Sequence, residues 1–212
     1  MKYTKKYQTP KGFSDIYMSS DGTNLTRLWF EKSTDQKKTK DSYKEEDLAI
    51  FTETGAWLDI YFSGKEPSFT PKYKIENLTP FREEVINIML KIPYGKTITY
   101  NDIAKEIAKE KGLEKMSAQA VGGAVGWNPI CLIIPCHRVI GTNNNITGYG
   151  GGIENKVKLL ELEQKEKITL KLPKIKSTIY QNNSTIKAKY LRNFSRVDII
   201  TLLFYLLISF HK

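Results

Sequence analysis

Residues 130–134 read Ile-Cys-Leu-Ile-Ile, five apolar side chains in succession, framed by Asn128-Pro129 before and Pro135 after. A run without a polar face must be covered on every side. Its length, between prolines that interrupt a helix, suits a strand. The expectation is a fully buried strand over 130–134, inside a core with layers on either side. The chain can supply that core. Of its 212 residues 40% are hydrophobic and 11% aromatic, too many for disorder and enough for one large domain or two small ones.

Three regions differ in texture. Over 1–78, short alternating runs predict strands at 3–8, 15–18 and 26–30, with Ser20-Asp21-Gly22 as a turn. The lysine-rich stretch 32–44 reads as a solvated loop. Residues 47–62 carry Leu48, Phe51, Trp57, Leu58, Tyr61 and Phe62 on one face of a predicted helix, and the proline-bearing 64–80 reads as a connection between domains.

Over 79–166 the pattern turns helical. Thr79-Pro80 opens a helix with Val85, Ile86 and Met89 on its apolar side. Thr99 with Asp102 caps a second helix over 100–109, and Ser117 caps a third over 118–125. The last two, joined through Gly112, fit a helix-turn-helix or an unspecialised helical hairpin equally. Gly122 and Gly123 each cost a helix about 1 kcal/mol relative to alanine. Such glycines are justified where another backbone comes close, from a helix or from nucleic acid, and a small-faced helix suits a minor groove better than a major one. After the turn-rich 142–152, an amphipathic helix is expected over 153–163.

Charge argues less than it first suggests. The net +10 is concentrated at the end: residues from Lys165 onward hold +8, leaving +2 for the preceding 164. Bulk charge is therefore no reason to assign nucleic-acid binding to the body of the chain. Residues 167–212 read as a poorly structured basic and apolar extension. Their apolar run 199–210 is shorter than the ~20 residues that span a bilayer, which leaves membrane attachment as a lesser alternative. The basic start lacks the apolar stretch of a signal peptide, so a cytoplasmic location is expected. Two cysteines exclude a disulfide scaffold, and two histidines with them leave no zinc ligand set, so no metal and no cofactor are expected.

The chemistry-bearing position is Cys136, beside His137 and Arg138. A thiolate is the reactive form of cysteine, and a neighbouring imidazole can generate it. An inert buried cysteine is the alternative. Cys131 reads as core; along an extended strand its Cα would lie roughly 16 Å from that of Cys136, beyond the ~7 Å that a disulfide tolerates. Gly95-Lys96-Thr97 is no phosphate-binding loop, since Leu90 stands where the motif needs glycine. Gly150-Gly151-Gly152 lacks the strand and spacing of a dinucleotide loop.

Pro135-Cys136-His137-Arg138-Val139, after Asn128-Pro129 and an apolar run, resembles the active-site signature of the O6-alkylguanine-DNA alkyltransferases, or methylated-DNA–protein-cysteine methyltransferases. The similarity extends through residues 92–97, Tyr100, 118–124, Gly148-Tyr149 and 159–163. It covers 80–163 closely and the N-terminal part loosely. The resemblance implies an α/β protein: an N-terminal ribonuclease-H-like α/β domain (1–78), a C-terminal winged-helix-like, helix-turn-helix domain (79–166), and an atypical tail (167–212). It also implies irreversible, once-only transfer of an alkyl group from guanine O6, less readily thymine O4, to Cys136, with the damaged nucleotide flipped out of the duplex.

Residue by residue, the resemblance makes Cys136 the acceptor, with His137 as base through a water and Glu163 orienting His137. Tyr100 would donate toward the leaving base, and Asn128 would hold the turn. Ala118, Gln119, Gly122, Gly123 and Arg138 would face DNA. Backbone groups at Cys136 and Val139 would read the guanine edge, and Tyr149-Gly150 would cover the pocket. Gln119 stands where many members carry arginine, which predicts weaker DNA binding with a shallower salt dependence. The implied partner is double-stranded DNA carrying alkylated guanine or thymine, bound by a monomer with no obligate protein partner. The alternatives are an alkyltransferase-like protein that binds lesions without transfer, and a cysteine hydrolase that turns over.

Overall fold

Asp21 sets the tight turn of the hairpin formed by residues 16–30. Its Oδ1 accepts from the backbone N–H of Thr23 (3.0 Å) and Asn24 (2.8 Å), while Gly22 takes φ +111°, a conformation open to glycine at no steric cost. The computed structural model describes residues 1–36 and 43–164. Strands β1 (Lys2–Tyr7), β2 (Ile16–Ser20) and β3 (Leu25–Phe30) pair antiparallel in succession, β1 with β2 and β2 with β3. A fourth strand, β4 (Tyr43–Glu45), lies parallel to β1, giving the order β3-β2-β1-β4. The solvated-loop reading of 32–44 is corrected at that point. A short edge strand with lysine and glutamate presents charge to water and carries no apolar alternation to announce it.

Helix α1 (Ala49–Phe62) buries Phe51, Trp57, Leu58 and Tyr61 and packs on β2 and β3. Fully burying side chains such as Phe51 and Leu58 stabilises by about 1.5–3 kcal/mol each. It has no side-chain cap at its start, so packing rather than local capping holds it. The connection after it is not free: the backbone of Leu25 bonds to Lys72 O and Lys74 N, both at 2.9 Å, laying that segment along β3.

The remaining helices begin where their caps dictate. Thr79 accepts from Arg82 N ahead of α2 (Pro80–Leu90), with proline at the first position. Thr99 and Asp102 form a reciprocal capping box at α3 (Tyr100–Glu110), and Ser117 accepts from Ala120 N at α4 (Ala118–Trp127). Strand β5 (Ile98–Thr99) pairs parallel with β6 (Val139–Ile140), and α5 (Ile153–Gln164) closes the described chain. The result is a mixed α/β fold whose core runs without interruption from the sheet through α1 to α2, α3, α4 and α5. Among the described residues no helix is long and apolar enough to cross a membrane. The expected extension over 167–212 lies outside the described residues.

The run 130–134 is buried as expected but is not a strand. Only Ile130 bridges to β3, through Leu28 N to Pro129 O (2.9 Å) and Cys131 N to Leu28 O (3.0 Å). The chain then folds on itself. Ile133 N bonds to Cys131 O (2.9 Å) around Leu132, whose φ is +69°; Cys136 N bonds to Ile134 O (2.8 Å) around Pro135, at φ −82° and ψ 60°. These are two γ-turns of opposite hand, and the positive-φ one is strained. Continuous apolarity required burial, and a tight turn satisfies it as well as an extended strand does. Both cysteines are free even though the extended separation no longer applies.

Candidate active site

Asn128 builds the turn that presents Cys136. From its buried position at the end of α4, Oδ1 accepts from Ile130 N (3.0 Å), and Nδ2 donates to Ile134 O (2.8 Å) and to Cys136 Sγ (3.0 Å). One amide thus ties the start of the turn, its end and the sulfur together. Cys136 opens a single 3-10 turn (Cys136–Arg138) and is only 7% exposed. The residue lines a cavity of about 40 Å³ together with Tyr100, Gly122, Val125, Asn128 and Tyr149. Burial pushes the thiol's pKa up, against the pull of the Asn128 amide, so at rest it is a neutral thiol that needs a base.

An imidazole able to take up a proton follows it in the chain. His137 is fully buried, and its Nε2 lies 2.7 Å from Glu163 Oε1. Burial moves the imidazole's pKa down, in spite of that carboxylate, which keeps it neutral and able to accept a proton. A carboxylate only accepts hydrogen bonds, so Nε2 carries the hydrogen and Nδ1 the lone pair. Nδ1 is buried and has no hydrogen-bond partner within the protein.

Glu163 is held from several sides. Tyr61 Oη donates to Oε1 (2.7 Å), Arg138 donates from Nε to Oε2 (2.9 Å) and from Nη2 to Oε1 (3.1 Å), and Gly95 N donates to Oε2 (3.1 Å). Burial alone would raise the Glu163 carboxyl, but the bonds from His137 and Arg138 outweigh it and hold the group below the usual carboxylate range. Gly95 is needed there twice over. Its φ is +73°, and a Cβ would meet Glu163 O at 3.0 Å.

Arg138, expected toward DNA, is turned inward. Besides Glu163 it donates from Nη1 to Ile92 O at 2.8 Å, and its guanidinium lies 5.4 Å from the centre of the Tyr94 ring. A buried guanidinium beside a buried carboxylate is spent as its counter-charge, so the expected surface role is withdrawn. Tyr100, at the start of α3, lines the cavity, and its hydroxyl accepts from Thr147 Oγ1 (3.1 Å). Tyr149 and Gly150 line the same cavity. Gly150 is also tied to the loop after β3, its carbonyl accepting from Thr34 N (3.1 Å) and Thr34 Oγ1 (3.0 Å). The Val139 carbonyl accepts from the buried Lys156 Nζ at 2.6 Å.

On α4, Gln119 and Gly123 are exposed, while Ala118 and Gly122 are half-buried. A Cβ at Gly123 would meet nothing within 4 Å, and one at Gly122 only the Tyr100 ring, at 3.8 Å. Packing inside the protein therefore gives no reason for these glycines.

Comparison with known proteins decides the relationship. A family model for the DNA-binding domain of 6-O-methylguanine DNA methyltransferase matches residues 80–165. The methylated-DNA–protein-cysteine methyltransferase of Methanosarcina acetivorans is 38% identical over 161 residues, 76% of this chain and 97% of that protein. The chain belongs to the methylated-DNA–protein-cysteine methyltransferase family. The Haemophilus influenzae member is 35% identical across 76% of this chain and 86% of its own length. Among solved members, Mycobacterium tuberculosis OGT in complex with DNA superposes with a TM-score of 0.65 at 34% identity, covering 77% of this chain and 93% of that one.

Within this methyltransferase frame, sequence reading missed Tyr61, Gly95 and Lys156. Tyr61 fitted an apolar stripe, and nothing local signals that its hydroxyl crosses to Glu163. Lys156 falls within the amphipathic helix expected over 153–163, and nothing local marks its ammonium as buried. Gly95 falls within the matched residues 92–97 and is rejected as part of a phosphate loop, but nothing local tells that its N–H meets Glu163.

Proposed function

We propose that this chain repairs double-stranded DNA by moving an alkyl group from O6 of guanine, less readily from O4 of thymine, irreversibly onto Cys136. The observation that carries the reading is a Glu163-oriented, neutral His137 adjoining Cys136, itself a lining residue of the cavity. In the step proposed, the Cys136 proton passes through a water to His137 Nδ1, and the sulfur's electron pair attacks the alkyl carbon. The carbon–sulfur bond forms as the carbon–oxygen bond breaks, and the electron pair leaves with the guanine, toward which Tyr100 donates. The thioether is stable, so each molecule acts once.

The cavity of about 40 Å³ beside Cys136, with Tyr149 and Gly150 in its wall, is where the flipped base would be received. The glycine-rich surface of α4, unexplained by packing, suits close approach of a DNA backbone, with α3 and α4 as a helix-turn-helix on the minor-groove side and Gln119 filling the flipped base's space. Backbone groups at Cys136 and Val139 would meet the guanine edge. We assign residues 1–78 to a ribonuclease-H-like domain and 79–166 to a winged-helix-like one, and read the protein as a monomer. Two free cysteines suit work in the cytoplasm.

The test is Cys136→Ala. The variant should bind duplex DNA containing O6-methylguanine as the parent does and remove no methyl group. Methyl removal by Cys136→Ala would overturn the assignment of the acceptor.

A further inference from the structure

The relay above runs on three side chains, and a fourth reaches it from the N-terminal half. Tyr61 lies in the last turn of α1 with 1% of its surface exposed. Its ring is walled in by others. Trp57 stacks on it with 5.3 Å between ring centres, and Phe62, Tyr94 and His137 meet it edge-on at 5.5, 6.1 and 6.3 Å. That enclosure fixes where the hydroxyl points: its oxygen is 2.7 Å from Glu163 Oε1 and 3.2 Å from His137 Nε2. Burial and the Glu163 charge push the phenol's pKa up, so the hydroxyl keeps its proton and donates a hydrogen bond to the carboxylate.

Glu163 Oε1 is crowded with donors. It accepts from Tyr61, from His137 Nε2 and, at 3.1 Å, from Arg138 Nη2. A carboxylate oxygen offers about two lone pairs, so three donors compete for one atom and each weakens the hold of the others. We propose that Tyr61 is a positioning residue for alkyl transfer: by sharing Oε1 it limits how strongly Glu163 binds the imidazole N–H, and so leaves His137 unprotonated and free to take the Cys136 proton. The inference rests on Cys136 as the acceptor and His137 as its base. The groups that face the imidazole act in both directions. Burial keeps it neutral, Glu163 from α5 favours its charged form, and Arg138 from the 3-10 turn and Lys156 from α5 oppose that form. Cys136 precedes it as the proton source. Tyr94, packed on the other side of Tyr61, is neutral because burial pushes its phenol up to about 12. At rest, with the thiol neutral, Glu163 alone among these draws a proton onto His137, and Tyr61 acts on that group. Tyr61 itself gains and loses no proton: the thiol proton passes through a water to His137 Nδ1, while the Nε2 hydrogen stays bonded to Glu163.

The experiment compares the intact protein with Tyr61→Phe in two readouts. One is the imidazole titration of His137 by NMR, told apart from that of His211, the chain's other histidine, in a His211→Gln background. The other is the single-turnover rate of methyl transfer from saturating O6-methylguanine duplex across pH. Without the phenol hydroxyl the carboxylate concentrates on His137, so the imidazole midpoint should move up and the acid limb of the rate profile with it. Loss of one charge-assisted hydrogen bond corresponds to about tenfold, so transfer on the acid limb should be about tenfold slower while the plateau at higher pH is kept. A merely structural role would lower the rate by one factor at every pH and leave the midpoint in place, and that result overturns the proposal. If Tyr61→Phe does not fold, 3-fluorotyrosine at position 61 decides. Its more acidic phenol is a stronger donor of nearly the same shape, so midpoint and limb should both move down; movement up, or none, overturns the proposal. A fixed His137 midpoint with methylated Cys136 overturns the role of Tyr61 alone. Intact protein that gains no methyl at Cys136 overturns the acceptor assignment and the role of Tyr61 in transfer with it.

Discussion

Replacing Asn128 by alanine tests how the reactive turn is held. The change removes three hydrogen bonds, to Ile130 N, Ile134 O and Cys136 Sγ. Ile134 O keeps a partner in Cys136 N, but Ile130 N is left buried and unpaired. Each lost bond contributes about 1 kcal/mol net, and the orphaned donor costs a further 1–3, giving roughly 4–6 kcal/mol in all. The same amide offsets the positive φ of Leu132, a conformation that costs about 1–3 kcal/mol where nothing imposes it. For a chain of this size the melting temperature should drop by roughly 10 °C. Loss of the Nδ2 donor should also push the Cys136 thiol's pKa further up. Thermal and urea unfolding give the first quantity, and the pH dependence of Cys136 modification by a small alkylating reagent gives the second. A loss below ~1 kcal/mol with an unaltered thiol titration would refute the claim that this amide staples the turn.

Three further outcomes follow from the same geometry. Glu163→Gln leaves the Arg138 guanidinium buried without its counter-charge and should cost about 3–5 kcal/mol in urea unfolding, with a loss of transfer larger than the stability change explains at the assay temperature. Acid should destabilise the protein in two stages. The His137 pKa is depressed in the fold, so stability declines as pH falls below about 6.5, where the unfolded imidazole takes up its proton; the Glu163 pKa is depressed too, so its contribution is present above about 4.3 and lost below. Urea midpoints that increase on acidification from neutrality would contradict both signs. Gln119→Arg should tighten duplex binding and steepen its salt dependence by roughly one counterion, a slope change of about 0.9; equal affinity and slope would remove Gln119 from the interface.

Legibility in the sequence tracked how local the chemistry is. The starts of α2, α3 and α4 could be read because Thr79-Pro80, the Thr99–Asp102 pair and Ser117 satisfy helix-end donors within three residues of themselves. The run 130–134 announced burial and nothing more. Its path is set by the Asn128 side chain and by Pro135, whose combined geometry no periodicity encodes. Strand β4 exists because β1 offers a parallel partner some forty residues earlier, a pairing invisible in Tyr-Lys-Glu.

The site divides in the same way. Cys136 and His137 were visible as neighbours. On residues alone Glu163 reads as an exposed helix glutamate, and only the family resemblance turned it inward. The resemblance placed Arg138 toward DNA, whereas a 3-10 turn carries it inward to Glu163. Tyr61 and Lys156 serve groups 102 and 17 residues away through the ends of otherwise ordinary side chains. Such contacts become legible once the helices carrying them are packed.

The most direct measurement is the mass of the protein, intact and then as peptides, after incubation with excess duplex DNA containing O6-methylguanine. The account predicts one added methyl per molecule, carried by the peptide that contains Cys136, with no increase on longer exposure. DNA binding with no change in mass, a methyl on another residue, or continued methyl removal by unmodified protein would contradict it.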